Sequence, residues 1–208
     1  MNADSKNLRR KVAKEAASLI YSGTEKEYKQ AKLKAAKTLG THFLPTNLEV
    51  AIELDKIAEE NEGPAREERL IQMRQEALKA MKALKAYDPL LVGSVWRGTI
   101  HKESDVDITI YHDETADILK TLEKNNFNIL RTEWVAVTRR GQKKTSFHIY
   151  AESPAKVKFE IVVRSQEEAG KREKCEIYGD EVIGLNIQEL EKLLKENPLK
   201  RFIPSKDA

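Results

Sequence analysis

The chain has 208 residues, with 37 Lys and Arg against 34 Asp and Glu, a formal net charge of +3 and 40% hydrophobic residues. That balance excludes a polybasic, histone-like protein while leaving room for a local basic patch. Six Pro and nine Gly are too few for a low-complexity or collagenous chain, and the single cysteine, Cys175, excludes an internal disulfide and a Cys-rich zinc site. No apolar run reaches the length of a bilayer, and the Met1 end lacks a signal-peptide core. These features predict a soluble, cytoplasmic protein without membrane contact. Positive charge is concentrated at the start: residues 1–45 carry ten bases and four acids.

Up to residue 86 the pattern is helical. Thr24 with Glu27 and Thr46 with Glu49 each fit a capping box, in which hydroxyl and carboxylate satisfy free helix-start amides. Tyr28, Ala31, Ala35 and Leu39 recur at helical spacing, and Gly40 follows as a stop. Pro64 suits the first turn of a long helix whose Leu70, Met73, Ala77, Met81 and Leu84 line one face as core.

After Pro89 the texture changes. Leu90 to Val92 reads as a short buried strand and Val106 to Tyr111 as a strand with alternating faces. A helix is expected over 117–124, then strands over 128–137, 145–151 and 157–163. Asn186 with Glu189 starts a last helix that Pro198 closes. The predicted organisation is a helical region over 1–86, a catalytic domain over 87–165, and a helical tail over 166–208 packed on it.

The informative stretch runs from Leu91 to Ile110: a strand enters Gly93-Ser94, a loop follows, and a second strand opens on Asp105-Val106-Asp107. Side chains alternate along a strand, so the two Asp share one face roughly 7 Å apart, and Val106, Ile108 and Ile110 take the other. Like carboxylates on one face repel each other, and a divalent cation offsets that repulsion. Oxygen-only ligation suits Mg²⁺ or Mn²⁺. Glu160, inside the strand-like run Val157 to Val163, is the third candidate ligand. Three converging carboxylates can hold a metal pair that activates an attacking hydroxyl and stabilises a leaving oxygen. Gly93 lets backbone amides approach a phosphate, the Ser94 hydroxyl can donate to it, and Arg97 can act as a bidentate donor.

This segment resembles the signature of the DNA polymerase β-like nucleotidyltransferase superfamily. Gly93-Ser94-x-x-Arg97-Gly98 followed by Ser104-Asp105-x-Asp107 is similar to the small, minimal nucleotidyltransferases. Tyr150-Ala151-Glu152-x-Pro154 ahead of Glu160, with Arg97-x-Thr99, is similar to the catalytic head of archaeal CCA-adding enzymes. The likeness covers residues 88–165; the tRNA-binding regions that follow the head in those enzymes have no counterpart here, and Glu160 stands where Asp is commoner. The resemblance implies an α/β (α+β) fold with a mixed sheet, and metal-dependent transfer of a nucleoside monophosphate from an NTP. It implies Asp105, Asp107 and Glu160 on two metal ions, with Gly93 and Ser94 on the triphosphate.

Around this core several residues admit two readings. Arg97 is a phosphate donor or an ion-pair partner, and Lys102 contacts phosphate or is simply solvated. His101, His112 and His148 are incidental to a two-metal mechanism, and Trp96 and Trp134 are expected to pack in the core. The Arg139 to Lys144 turn is a nucleic-acid contact or a soluble hairpin tip. The acceptor expected first is an RNA 3′ end; a protein partner, a small molecule such as an aminoglycoside, and an inactive nucleotide sensor are the alternatives. Oligomeric state is not readable.

Overall fold

A computed structural model describes residues 3–139, 142–171 and 173–204, with side chains from residue 5 onward and outside 137–143. The helices expected in the first third form. They are α1 (Ala3–Tyr21), α2 (Tyr28–Thr38), α3 (Asn47–Glu62) and α4 (Pro64–Ala83). Thr46 and Glu49 make the expected capping box on α3, and Pro64 occupies the first turn of α4. The box expected at Thr24 does not form. Thr24 instead bonds the Ser22 hydroxyl in the turn after α1, and α2 begins at Tyr28, behind Glu27 as an N-cap that makes no side-chain bond.

Five strands follow: β1 (Leu90–Val92), β2 (Val106–Tyr111), β3 (Asn128–Arg139), β4 (Gln142–Glu152) and β5 (Lys158–Arg164). Between them lie α5 (Gly93–Arg97) and α6 (Thr115–Lys124), and α7 (Ile187–Glu196) closes the chain behind an Asn186–Glu189 capping box. The sheet is mixed, in the order β1-β2-β5-β4-β3, with β2 and β5 parallel and every other neighbour antiparallel. This is the α+β architecture with a mixed sheet that the resemblance implies.

Period-2 alternation divides the sheet into two unlike faces. Val106, Ile108, Ile110, Phe147, Ile149, Phe159, Ile161 and Val163 are buried against α4, α6 and α7 through Leu70, Met81, Ile118, Leu122 and Leu190. The opposite face carries Asp107, Glu160, His148 and Tyr150. A separate apolar cluster joins α1, α2 and α3 through Val12, Ala16, Ala31, Ala35, Val50 and Leu54.

Buried arginines fasten these parts. Arg74, on α4, is fully buried and donates to the carbonyl oxygens of Val95, Trp96, Pro198 and Lys200, so one guanidinium ties α5 to the C-terminal segment. Burial draws its pKa down to about 10, which still leaves it charged at neutral pH. Arg66 donates to the Ile100 carbonyl and to Asp55 and Glu59, joining α3 and α4 to the loop before β2. Trp134 departs from expectation: it is 64% exposed, because β3 is the edge strand, and the Phe147 ring lies beside it. The nucleic-acid reading of the Arg139 to Lys144 turn falls largely outside the described residues; Lys144 itself pairs with Glu168 and Glu173. Among the described residues no helix is long and apolar enough to cross a membrane.

Candidate active site

Strand β1 delivers the chain to Gly93, which turns at φ +69° into the short helix α5. Only glycine fits there. A Cβ on Gly93 would stand 1.8 Å from Asp107 Oδ2 and 2.9 Å from Asp107 Cβ. The reason is register: Val92 pairs with Asp107 across β1 and β2, so the residue after Val92 must pass directly over the Asp107 side chain. The Ser94 backbone amide favours the charged form of the Asp107 carboxyl. Glycine at position 93 is therefore required by the acidic side chain that the turn passes over.

Asp107 also pairs in register with Glu160 on the parallel neighbour β5, and Asp105 precedes β2 by one residue. Ligand oxygens of Asp105, Asp107 and Glu160 lie within 4.8 Å of one another. Burial, then the charges of Asp105 and Glu160, hold the Asp107 carboxyl well above the usual carboxylate range. Burial first, and the Glu160 charge among the other influences, raise Asp105 as well, against the opposing pull of Lys26 and Lys158. A concentrated, oxygen-only negative cluster of this kind fits hard divalent cations such as Mg²⁺ or Mn²⁺.

A cavity of about 420 Å³ opens beside this cluster. Its floor is the sheet, through Leu90, Val92, Asp107, Thr109 and Arg164, with Gly93 and Ser94 at one side. Its roof comes from Tyr28 on α2 and Ala51, Leu54 and Asp55 on α3, together with Cys175 and Tyr178 from the segment ahead of α7. The volume is in the usual range for small-molecule sites. Burial pushes the Tyr28 and Tyr178 hydroxyls up, so both stay neutral.

The remaining expected contacts are distributed differently. Arg97 lines the cavity, yet its guanidinium is bonded to both oxygens of Asp180 (2.7 and 3.1 Å) and to the Phe202 carbonyl, between the rings of Trp96 and Tyr178. Lys102 is turned away from the cavity: its ammonium lies 4.7 Å from the Tyr21 ring centroid and its amide donates to Glu62. Trp96 is buried, as expected.

His148, expected to be incidental, stands against Glu160. Its Nδ1 is 2.7 Å from Glu160 Oε1 and its Nε2 is 2.9 Å from Ser146 Oγ. Tyr150, directly opposite Glu160 in the β4–β5 register, donates its hydroxyl to Glu133 and carries the Arg131 guanidinium over its ring at 4.2 Å. Burial, then the charge of Glu160, raise the Tyr150 pKa. The alternation Ser146, His148, Tyr150 puts these residues on one face of β4, and the β4–β5 register makes it the face of Glu160.

A family model described as a nucleotidyltransferase domain matches residues 74–183. The match begins within α4, takes in all five strands and ends past the cavity-lining segment around Tyr178; α1, α2 and α3 lie ahead of it. No curated protein matches the chain.

Proposed function

The chain belongs to the nucleotidyltransferase domain family, and on that premise we propose that it transfers a nucleoside monophosphate from an NTP to an acceptor hydroxyl, the acceptor being an RNA 3′ end. The observation that carries this reading is the convergence of Asp105, Asp107 and Glu160 beside a Gly93-Ser94 turn built around Asp107.

Asp105, Asp107 and Glu160 are the residues that would hold two Mg²⁺ or Mn²⁺ ions. Metal held there would supply charge neutralisation of the triphosphate and a more nucleophilic acceptor hydroxyl. The protein's own residues bind and orient. Backbone at Gly93, free of a Cβ, comes close to the phosphates, and the Ser94 hydroxyl donates to a phosphate oxygen. The cavity under Tyr28, Leu54 and Tyr178 receives the nucleoside and shields it from water. The acceptor oxygen then bonds to the α-phosphorus as the α–β phosphoanhydride bond breaks, and pyrophosphate leaves in line.

RNA is favoured by two features. Tyr150, capped by Arg131, offers a ring beside Glu160 on which a terminal base can stack. The surplus of bases over acids in residues 1–45 supplies an attractive field for a phosphate backbone.

Incubation with α-labelled NTPs, Mg²⁺ and total cellular RNA, with cellular protein in a parallel reaction, tests the acceptor. Label in a ribonuclease-sensitive product that depends on Asp105 supports the proposal. Label in a polypeptide would replace RNA by a protein acceptor, label in a small product would point to a small-molecule acceptor, and NTP binding without transfer would make the chain a sensor.

A further inference from the structure

Glu160 differs from its two partners in length. Aspartate reaches a shared ion with two side-chain torsions, whereas glutamate adds a third and loses more rotamer freedom when fixed. Parallel register sets Glu160 beside Asp107, so its extra methylene must be held by something other than its own strand. The neighbouring strand supplies it. In β4, Tyr150 pairs with Glu160 and His148 stands two residues away on the same face, where Nδ1 reaches Glu160 Oε1 at 2.7 Å. The far ring nitrogen meets Ser146 Oγ at 2.9 Å. Neutral imidazole satisfies both contacts with a single tautomer: Nδ1–H donates to the carboxylate, and Nε2 accepts from the serine hydroxyl. The ring is largely sheltered, with a side-chain exposure of 17% against 24% for Glu160. The carboxylate is thereby held at Oε1 while its ligand oxygen stays within 4.8 Å of those of Asp105 and Asp107.

We infer that His148, oriented by Ser146, is the positioning residue for Glu160: it fixes the longer third carboxylate so that it completes the cation site with Asp105 and Asp107. The inference rests on the metal-dependent reading of the triad, and extends it to a Ser146–His148–Glu160 chain that runs across β4 and β5. Such outer partners of a ligating group typically change metal affinity about 10- to 100-fold when lost.

The test is Mn²⁺ binding to the purified full chain, followed by titration calorimetry and by Mn²⁺ paramagnetic resonance, with unfolding midpoints recorded alongside. His148→Ala is expected to weaken Mn²⁺ binding about tenfold or more. His148→Asn, whose side-chain amide nitrogen can stand where Nδ1 stands, is expected to restore affinity to within about threefold of wild type. Ser146→Ala, which touches no carboxylate, is expected to produce a smaller loss and keeps the test open should His148→Ala fold poorly. Wild-type affinity in His148→Ala overturns the inference, as does an Asn variant as weak as the Ala variant. Those outcomes leave the triad reading standing if Asp107→Asn still abolishes binding. A wild-type chain that binds no Mn²⁺ overturns both.

Discussion

Replacing Gly93 by alanine tests whether the turn and the acidic cluster are one construction. Gly93 sits at φ +69°, where an L-residue costs about 1–2 kcal/mol. The new methyl group would overlap Asp107, at 1.8 Å from Oδ2 and 2.6 Å from Cγ, and relieving that overlap requires the carboxylate or β1 to move. Overpacking of this kind adds about 1–3 kcal/mol, giving a total of about 2–5 kcal/mol. Gly40→Ala is the natural control, because Gly40 shares a positive φ of +61° with nothing within 4 Å of its Cβ position. It should lose only the backbone contribution, about 1–2 kcal/mol. Urea unfolding of both variants, with Mn²⁺ binding measured on the folded proteins, separates the two costs. Gly93→Ala should also lose Mn²⁺ affinity, while Gly40→Ala keeps it. Equal destabilisation of the two variants, with Mn²⁺ binding intact in Gly93→Ala, would refute the reasoning.

Asp107→Asn is expected to stabilise the metal-free protein increasingly as pH rises. The Asp107 carboxyl is held well above the usual range by burial and by Asp105 and Glu160, so the native state binds more protons than the unfolded chain above about pH 4. Its contribution to stability therefore falls as pH climbs toward the native pKa, and unfolding in EDTA from about pH 4 to about pH 8 should show the variant gaining on wild type; a constant difference contradicts this. Arg74→Met removes four hydrogen bonds to backbone carbonyls and should cost about 3–4 kcal/mol, with the segment around Pro198 opened to protease; a loss under about 1 kcal/mol by urea unfolding contradicts the fastening role. Ala51→Leu fills the cavity from the α3 side and should weaken NTP binding about tenfold while leaving Mn²⁺ binding unchanged; unaltered NTP affinity by fluorescence titration would mean that the nucleoside lies elsewhere.

What the sequence reveals of this fold is what local pattern encodes. Alternation in Val106 to Tyr111 assigns both faces of β2 correctly, because one face is buried and the other bears the carboxylates. Two of the three expected capping boxes form. The third fails because the turn at Gly23 binds Thr24 to Ser22 and the helix starts later. Contacts made across the chain are another matter. Asp180 is 83 residues from Arg97, and nothing near Arg97 announces that its guanidinium will be spent on it. Arg74 reads as one more charge on an amphipathic helix, yet its partners include the carbonyls of Pro198 and Lys200. The Asp105–Asp107 pair is legible at two-residue spacing, while His148 joins it only through the β4–β5 pairing. Trp134 looks like core in an alternating strand, and is exposed because that strand is the sheet's edge.

Nucleotidyl transfer directed by Asp105, Asp107 and Glu160 stands or falls on pyrophosphate release. Purified wild-type protein and Asp107→Asn would be assayed with Mg²⁺ or Mn²⁺ and each ribonucleoside triphosphate, with and without RNA. Wild-type protein should release pyrophosphate in a reaction that requires the metal, is stimulated by RNA and is lost in the folded variant. Undiminished release by Asp107→Asn would contradict it.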